Sequence, residues 1–186
     1  MKNILVLSQK GGTGKTTLAD NIAFALEADG QPVAFYDTDP QGGALHGTAE
    51  AEGADVAVID TPGTLTDATR DMIADAAVVI IPTRASALDM QPLERVRDMV
   101  AEAAPSVPAL IVINGWNRYS NARSFRGWLE GTLRPSERVA VLSQSEMIPQ
   151  AAGNGVSVAE YAPKSRPAGQ LAEIAETVRG MIGGEA

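Results

Sequence analysis

The sequence predicts an α/β protein with a doubly wound, mostly parallel sheet and helices on both faces. Short apolar runs rich in β-branched residues recur along the chain, and longer stretches with helical spacing separate most of them. Continuous apolar runs are typical of strands buried on both faces, as in parallel sheets. The alternation of strands and helices favours the doubly wound class, because each helix can cover the sheet between two parallel strands.

The predicted elements follow one another without an interdomain linker or an internal repeat. The strand candidates lie at residues 4–7, 33–36, 56–59, 78–81, 109–113 and 139–142. The helix candidates lie at residues 15–28, 67–74, 88–103, 122–132 and 167–181. We therefore expect residues 1–186 to form a single domain. Gly180, Gly183 and Gly184 predict a frayed C-terminal end.

The composition excludes several classes of protein. The chain has 186 residues with 15 basic and 23 acidic side chains, a formal net charge of −8, and no cysteine. Without cysteine, disulfides, iron–sulfur clusters and cysteine nucleophiles are excluded. The acidic total argues against nucleic-acid binding over the whole surface, although it leaves room for a local basic patch. The first apolar run is too short for a secretory signal or a membrane span, so a cytoplasmic location is expected.

A glycine-rich loop follows the first strand and leads into the first helix. Its residues are Lys10, Gly11, Gly12, Thr13, Gly14, Lys15, Thr16 and Thr17. The phosphate-loop pattern G-x-x-x-x-G-K-[ST] is met apart from Gln9, which replaces the first glycine. Glycines allow backbone N–H groups to face phosphate oxygens, and the helix N-terminus adds positive potential. Lys15 is expected to contact the β- and γ-phosphates, and Thr16 a magnesium ion.

Lys10 is a second lysine in this loop, and its position leaves two interpretations open. It is either a solvated loop residue or a cation that reaches phosphates bound by a second subunit. A cation supplied in this way stabilises a phosphoryl-transfer transition state by on the order of 10³–10⁵ in rate. Spacing alone does not decide between the two.

The segment from Lys10 to Thr17 resembles the KGGxGKTT loop of the ParA/MinD group of deviant P-loop ATPases, which also includes the nitrogenase iron protein. The resemblance implies ATP or ADP and Mg²⁺ as ligands, and a homodimer that encloses ATP between its subunits. All eight loop residues would then contact nucleotide. Lys10 would be the signature lysine, which reaches the nucleotide of the partner subunit. Specificity for ATP over GTP is also an implication of the resemblance.

Two carboxylates lie where the second strand ends, in the segment Asp37-Thr38-Asp39-Pro40-Gln41-Gly42. Proline at position 40 cannot continue a central strand, so the chain leaves the sheet here. The segment is similar to the DxDPQG motif of ParA-type partition ATPases. That similarity implies that Asp39 orients or activates the attacking water and supports Mg²⁺. Asp37 is interpreted mainly as a turn former at the strand end.

The third strand candidate is followed by Asp60, and then by Thr61, Pro62 and Gly63. A carboxylate at the C-terminal edge of a buried strand is where a Walker-B aspartate holds Mg²⁺. The alternative is an aspartate that opens a turn before Pro-Gly. Beside a phosphate loop we expect Asp60 to belong to the metal site. Residues 61–67 are then expected to form a switch segment that senses the γ-phosphate.

The resemblance extends over most of the chain, since residues 80–89 and 159–168 are similar to the small plasmid-partition ATPases of the ParF kind. Two departures stand out. Asp60 follows Asp39 by only 21 positions, which leaves room for at most a short helix where the family has more. No region that could form a helix-turn-helix domain precedes the first strand, so site-specific operator binding is not expected.

Contacts to the adenine base are expected from Asn114, at the end of the fifth strand, and from the backbone near Ile148 and Pro149. The first of these expectations follows from the family resemblance. The alternative for Asn114 is a strand-end residue that caps the turn at Gly115. The NKxD pattern of guanine-specific proteins is absent.

A local basic region lies within residues 115–140, where five arginines and two glutamates give a charge of +3. Arg118, Arg123 and Arg126 lie among aromatic residues and could contact a phosphate backbone without reading bases. The alternative is the solvated face of a helix whose Phe125 faces the core. The residues alone favour that alternative, whereas the family resemblance implies nonspecific DNA binding here.

Together with the resemblance, the sequence predicts an ATPase for plasmid or chromosome partition that is associated with the nucleoid. ATP would drive homodimerisation and nonspecific DNA binding, and a ParB-like centromere-binding adaptor would stimulate hydrolysis. The glycine-broken tail argues against membrane attachment of the MinD type. Two alternatives stay open. One is an ATP-dependent ligase or assembly ATPase of the same superfamily, resembling dethiobiotin synthetase, and the other is a nucleotide switch that positions another cargo.

Overall fold

A six-stranded parallel sheet forms the centre of the protein, of which the computed structural model describes residues 1–40 and 42–184. The strands are β1 (Lys2–Val6), β2 (Val33–Asp37), β3 (Val56–Asp60), β4 (Ala76–Arg84), β5 (Ala109–Trp116) and β6 (Glu137–Ser143). They lie in the order β2-β3-β1-β4-β5-β6, and every neighbouring pair is parallel. The carboxyl ends of all six strands therefore meet at one edge of the sheet.

The helices cover both faces of this sheet. They are α1 (Lys15–Ala28), α2 (Asp67–Ala74), α3 (Ala87–Ala103), α4 (Ser120–Gly131), α5 (Met147–Gly153), α6 (Val158–Tyr161) and α7 (Arg166–Gly183). Ile4 and Val6 of β1 pack into the core beneath α1 and α7, whereas Leu5 and Leu7 pack into the core beneath α2, α3 and α4. This alternation follows from the period of two in a strand, and both sets are apolar because both faces are buried.

The predicted fold class is confirmed, and so are the six strands and the five helices that the sequence predicts. Two short helices, α5 and α6, are not among the predicted elements because seven and four residues are too few to show helical periodicity. The expected fraying at the C-terminal end is wrong up to Gly183. Val178 and Met181 are buried against the core, and this packing holds the last turns of α7 in place.

The connection between β2 and β3 contains no helix in its described residues, 38–40 and 42–55. Instead, Ala49 forms an antiparallel bridge to Phe35 of the edge strand β2, with both N–H···O distances at 2.8 Å. His46 stacks on Phe35, and its Nδ1 donates to Oδ1 of Asp20 in α1 at 2.8 Å. The short connection thus covers part of the sheet edge and is attached to α1.

None of the helices in residues 1–40 and 42–184 combines the length and the apolar character that a bilayer span requires.

Candidate functional site

The predicted site residues come together at the carboxyl edge of the sheet, around the end of β1. The chain leaves β1 for the edge strand β2, returns through β3 and crosses to β4 on the other side. Ligands of open α/β sheets bind at the carboxyl edge where the strand order changes direction in this way. Asp37 and Asp60 are register partners at the ends of β2 and β3, and Asp60 is level with Val6 of β1.

The glycine-rich loop presents backbone N–H groups at the start of α1. Gly14 is the N-cap residue of α1 and has φ 96°, and no side chain caps this helix. The N–H groups of residues 11–14 donate to no acceptor in the described part of the chain. Unbonded N–H groups and the positive end of the helix dipole form an anion-binding site.

Carbonyl oxygens of the same loop accept hydrogen bonds from side chains, and these bonds orient the peptide groups of the loop. Asn114 Nδ2 donates to Thr13 O at 2.8 Å, and Arg84 Nε donates to Gly12 O at 3.0 Å. Ser8 Oγ and Thr13 Oγ1 both donate to Lys10 O at 3.2 Å. Because the carbonyl oxygens are held by these donors, the N–H groups stay available for a ligand.

Lys10 forms an ion pair within its own chain. Its Nζ lies 2.8 Å from Oδ1 of Asp89, whose side chain is only 3% exposed. The sequence left Lys10 either solvated or directed to a second subunit. In this structure it is neither fully solvated, since 38% of the side chain is exposed, nor extended away from the subunit.

Four side chains of the predicted site lie close to one another: Lys15, Thr16, Asp39 and Asp60. Lys15 Nζ is 3.9 Å from Asp39 Oδ2, and Thr16 Oγ1 donates to Asp60 Oδ2 at 2.6 Å. The second oxygen of Asp60, Oδ1, is buried and accepts no hydrogen bond from the described residues. A threonine hydroxyl beside carboxylates is a donor set that suits Mg²⁺, which prefers oxygen ligands.

Burial raises the pKa of Asp60 to about 6, against the opposing effects of the Thr16 hydrogen bond and the Lys15 charge. The nearby charges of Asp37 and Asp39 raise this pKa further. Three carboxylates are therefore gathered with a single buried lysine, Lys15. A bound cation would favour the ionised form of Asp60 and supply the charge that this cluster lacks.

Asp37 forms the turn that the sequence predicts for it. Its Oδ1 accepts from the N–H of Asp39 at 3.1 Å, and its Oδ2 accepts from the N–H of Ala44 at 3.4 Å. The hydroxyl of Thr38 donates to Asp60 O at 2.8 Å and ties this turn to β3. Asp37 thus orients the backbone that carries Asp39.

The segment predicted as a switch starts from a fixed end. Thr61 is fully buried, and its hydroxyl donates to Val6 O at 2.8 Å. At the other end, Thr66 and Thr69 form a capping box at the start of α2. Between them, residues 62–65 form a loop beside the phosphate loop, with Gly63 near Gln9 O.

Asn114 and Pro149 line one pocket of about 420 Å³. The side chains of Arg84, Asn117 and Gln144 line the same pocket. Asn114 also accepts from Gly115 N at 2.8 Å, so the predicted turn cap is present together with the bond to the loop. The turn-cap interpretation of Asn114 therefore describes part of its surroundings, and its contact with adenine stays a prediction.

The three arginines predicted to contact DNA lie at the start and along the exposed side of α4, and all are exposed. Arg126 Nε donates to Glu130 Oε1 at 2.7 Å, and its guanidinium lies 5.9 Å from the centre of the Trp116 ring. Phe125 is buried in the core, as expected for a solvated helix face. Arg118 and Arg123 form no ion pair with the described residues.

Sequence reasoning assigned no role to Arg84 or Asp89, although both contact the loop. Arg84 lies at the exposed end of β4, where a polar residue is ordinary. Asp89 is in the first turn of α3, where an acidic residue is favoured by the helix dipole alone. Only the position of the neighbouring loop shows that these side chains hold Gly12 and Lys10.

A search of curated proteins found relatives that cover part of the chain. Residues of this chain are 35% identical over 111 residues to the maintenance of carboxysome distribution protein A of Gloeobacter kilaueensis, with 47% of this chain and 51% of that protein aligned. The chain thus spans about half the length of this relative.

Solved structures show the same fold over nearly the whole chain. The apo McdA structure from Cyanthece matches 97% of this chain and 100% of its own, with a TM-score of 0.80 and 18% identity. A putative plasmid partition protein of Borrelia burgdorferi B31, bound to AMPPNP, matches 96% and 99% with a TM-score of 0.72 and 16% identity.

The family model that describes the CobQ/CobB/MinD/ParA nucleotide-binding domain matches residues 4–158. This match contains the phosphate loop, the three aspartates and Asn114, and it ends at the first residue of α6. Because this match covers most of the chain, the chain belongs to the CobQ/CobB/MinD/ParA family.

Proposed function

We propose that this chain is a Mg²⁺-dependent ATPase of the ParA type, which positions a DNA cargo through nucleotide-dependent dimerisation. The observation that carries the proposal is the phosphate loop, whose N–H groups at residues 11–14 donate to no acceptor within residues 1–40 and 42–184, together with the Thr16–Asp60 pair. Membership in a nucleotide-binding family and the fold shared with partition proteins support it.

Each group at the site has a proposed part in hydrolysis. The loop N–H groups and Lys15 bind the phosphate oxygens, and Thr16 and Asp60 would hold the magnesium ion. A bound magnesium ion neutralises charge on the phosphates. Asp39 lies close to Lys15 at the opening of the site, where a carboxylate can orient a water molecule for attack on the γ-phosphate.

Lys10 is proposed to leave Asp89 and reach the nucleotide of a second subunit. In the single chain its ammonium is neutralised by Asp89, so it contributes no free cation to its own site. Binding of ATP by two subunits offers a stronger anion, the triphosphate of the partner. Hydrolysis is then slow until the dimer forms, because the cation is absent before that step.

Lys10→Ala tests this part of the proposal. The variant is expected to bind Mg²⁺ and ATP, but to remain monomeric with a non-hydrolysable analogue and to lose turnover by on the order of 10³-fold. Sedimentation velocity and phosphate release measure the two effects. Lys164→Ala, a change at another exposed lysine, serves as the control in the absence of DNA. Unchanged dimerisation and turnover in Lys10→Ala would remove the trans role.

DNA binding is proposed for the exposed arginines Arg118 and Arg123, which carry free positive charge in an acidic protein. The double change Arg118→Glu and Arg123→Glu is expected to weaken binding to DNA of any sequence. The slope of log K against log salt should fall by about 0.9 for each phosphate contact that is lost. Arg95→Glu, at an exposed position of α3, is the control. An equal loss in the control would mean that only total charge matters.

A further inference from the structure

Asp20 is a buried carboxylate in α1 to which the proposed mechanism assigns no part. It lies four positions after Thr16, one turn farther along the same side of the helix, and only 4% of its surface is exposed. Removing a carboxylate from water has a large cost in free energy unless hydrogen bonds replace its hydration. The groups that donate to Asp20 therefore indicate what this residue does.

These donors come from the connection between β2 and β3, which begins to contact Asp20 25 positions farther along the chain. The N–H of Leu45 donates to both carboxylate oxygens at 3.0 Å. The N–H of His46 donates to Oδ1 at 3.2 Å, and the ring Nδ1 of His46 donates to the same oxygen at 2.8 Å. Two backbone groups and one side chain of the connection are thus bonded to a single side chain of α1.

Apolar burial contributes little to the attachment of this part of the connection. Residues 42–43 are exposed, and Leu45 is 37% exposed. A cavity of about 230 Å³ lies between α1, α5 and the connection. The ring of His46 adds a contact, since its centre is 4.1 Å from that of Phe24 in α1. The attachment therefore depends mainly on Asp20 and on His46.

The imidazole of His46 lies between two carboxylates of α1. Its Nδ1 faces Asp20, and its Nε2 lies 3.2 Å from Oε2 of Glu27. These are the two charged groups that face the ring in the described part of the chain. A neutral imidazole has one N–H and can donate to one carboxylate, whereas the protonated ring donates to both. Protonated His46 thus attaches the connection to α1 at two points.

Asp39 lies in the turn that this attachment holds. Oδ2 of Asp37 accepts from the N–H of Ala44 at 3.4 Å, which closes the turn. The next residue, Leu45, is already bonded to Asp20, so the turn is attached to α1 directly after it closes. The carboxylate of Asp39 is 3.9 Å from Nζ of Lys15, which lies in the first turn of the same helix. One helix therefore carries the proposed phosphate ligands and holds the turn with the proposed water-orienting carboxylate.

We infer that Asp20 is a positioning residue for the proposed hydrolysis, which together with His46 holds the turn that carries Asp39 at a fixed place on α1. The inference rests on the proposed function and deepens it, because neither residue would touch the nucleotide or the metal. Loss of the attachment should slow the chemical step and leave nucleotide binding in place. A displacement of about 1 Å at a reacting group can cost on the order of 10²-fold in rate.

Asp20→Ala tests the inference by single-turnover phosphate release with Mg²⁺, ATP and DNA. The rate constant is expected to fall by on the order of 10²-fold, while titration calorimetry gives an unchanged dissociation constant for a non-hydrolysable ATP analogue. Asp20→Asn keeps one oxygen that can accept from Leu45, so its rate should lie between the two and gives the answer if Asp20→Ala does not fold. Asp29→Ala removes an exposed carboxylate at the end of α1 and is the matched control, with an unchanged rate.

Coupling to Asp39 separates positioning from a general loss of stability. Asp39→Ala is expected to lose water orientation by itself, so adding Asp20→Ala should slow phosphate release no further. Val178→Ala removes buried volume from α7 and should lower the free energy of unfolding without slowing release. Without any nucleotide, amide hydrogen exchange at residues 45 and 46 should be faster in Asp20→Ala than in the unchanged protein.

The outcomes separate this inference from the proposed function. If Asp39→Ala is slow while Asp20→Ala keeps the full rate, or if the two losses multiply in the double variant, the positioning role is wrong and the proposed hydrolysis stands. An equal loss of affinity for the analogue in Asp20→Ala also overturns the positioning role. If the unchanged protein releases no phosphate, or Asp39→Ala keeps the full rate, the proposed role of Asp39 and this inference are both overturned. Slow release with unchanged affinity, and no further loss in the double variant, supports the inference.

Discussion

At the scale of single residues, the site depends on side chains that hold carbonyl oxygens. Asn114 and Arg84 donate to Thr13 O and Gly12 O, and the N–H groups of residues 11–14 have no acceptor in the part of the chain that the structure describes. A phosphate group then finds donors that are already oriented, so little ordering has to accompany binding. The residues that set up the loop are thus different from those that would touch the ligand.

Gly14→Ala is expected to destabilise the protein and to abolish nucleotide binding. Gly14 has φ 96°, and a Cβ there would clash with Nδ2 of Asn114. The left-handed backbone costs about 1–2 kcal/mol for a non-glycine residue, and loss of the Asn114–Thr13 hydrogen bond adds about 1 kcal/mol. Urea unfolding and titration calorimetry measure both effects.

Gly30→Ala is the control for this change, because Gly30 also has positive φ, 79°, and has open space around its Cα. Gly30→Ala should lower the free energy of unfolding only by the cost of the left-handed backbone, about 1–2 kcal/mol, and should still bind nucleotide. An equal loss of stability in the two variants would show that Asn114 moves aside freely.

His46 predicts a dependence of stability on pH. Burial lowers its pKa, but hydrogen bonds and charge from Asp20 and Glu27 outweigh this effect and leave the pKa raised above 6.5. A group whose pKa is higher in the folded state stabilises the fold fully below the unfolded value and loses this contribution as pH rises through the folded value. The stabilisation should therefore be larger at pH 6 than at pH 8.5.

The measurement compares urea unfolding of the unchanged protein and of His46→Gln at these two pH values. The difference in free energy of unfolding between them should shrink as pH rises. His46 is the single histidine of the chain, so no other imidazole contributes. A difference that stays constant with pH would show that the Asp20 contact does not depend on protonation.

At the scale of elements, a buried charge cluster joins α3 to β6 and to the end of α4. Arg97 is 1% exposed, and its Nη2 donates to Glu137 Oε2 and to Thr132 O, both at 2.6 Å. Its Nη1 also contacts Glu94. The N–H of Arg134 also donates to Glu137 Oε2, at 2.9 Å. Because the guanidinium and the Glu137 carboxylate are both removed from water, loss of either one would leave the other with fewer hydrogen bonds and an uncompensated charge. The cluster fixes the position of α3 on the sheet, and α3 carries Asp89.

Arg97→Ala is expected to lower the free energy of unfolding by about 3–5 kcal/mol, because it leaves the buried Glu137 without its partner. Urea unfolding gives the value. Arg126→Ala is the matched control: its ion pair with Glu130 is 44% and 46% exposed, and its loss should cost less than about 0.5 kcal/mol. Similar losses in both variants would contradict the role of burial.

At the scale of the whole molecule, the parallel sheet brings distant segments of the chain to one edge. Thr16 and Asp60 are 44 positions apart in the sequence, and Thr13 and Asn114 are 101 apart, yet both pairs are hydrogen-bonded. A ligand at this edge would connect β1, β3 and β5 through one set of contacts. Its binding energy should therefore add to the stability of the whole fold.

A non-hydrolysable ATP analogue with Mg²⁺, at 100 times its dissociation constant, should stabilise the protein by about 2.7 kcal/mol. For a chain of this size the expected rise in Tm is roughly 5–10 °C. Removing Mg²⁺ with EDTA should reduce the shift. Thermal unfolding followed by circular dichroism measures it.

The variant Asp60→Asn should lose the part of this shift that depends on Mg²⁺, because it removes a charge from the proposed metal site. Asp55→Asn, an exposed aspartate just before β3, should behave as the unchanged protein. An equal magnesium effect in Asp60→Asn would place the metal elsewhere.

The sequence by itself determined the fold class, the order of the strands and helices along the chain, and the loop from Lys10 to Thr17, because these depend on local residue patterns. Apolar runs, helical spacing and glycines before a helix are properties of neighbouring residues. The continuation of α7 beyond residue 181 to Gly183 was not predicted, since packing of Val178 and Met181 outweighs the local preference of glycine.

Only the tertiary structure decided the pairing of Lys10 with Asp89, the contact of Arg84 with Gly12, and the attachment of His46 to Asp20. Each joins segments that are far apart in sequence, and each is produced by the folding of parallel strands to a common edge or by packing of a connection onto α1. A carboxylate in a helix first turn or an arginine at a strand end is ordinary in isolation. The residue that such a side chain contacts depends on how the elements pack in three dimensions, and a local sequence pattern does not contain that information.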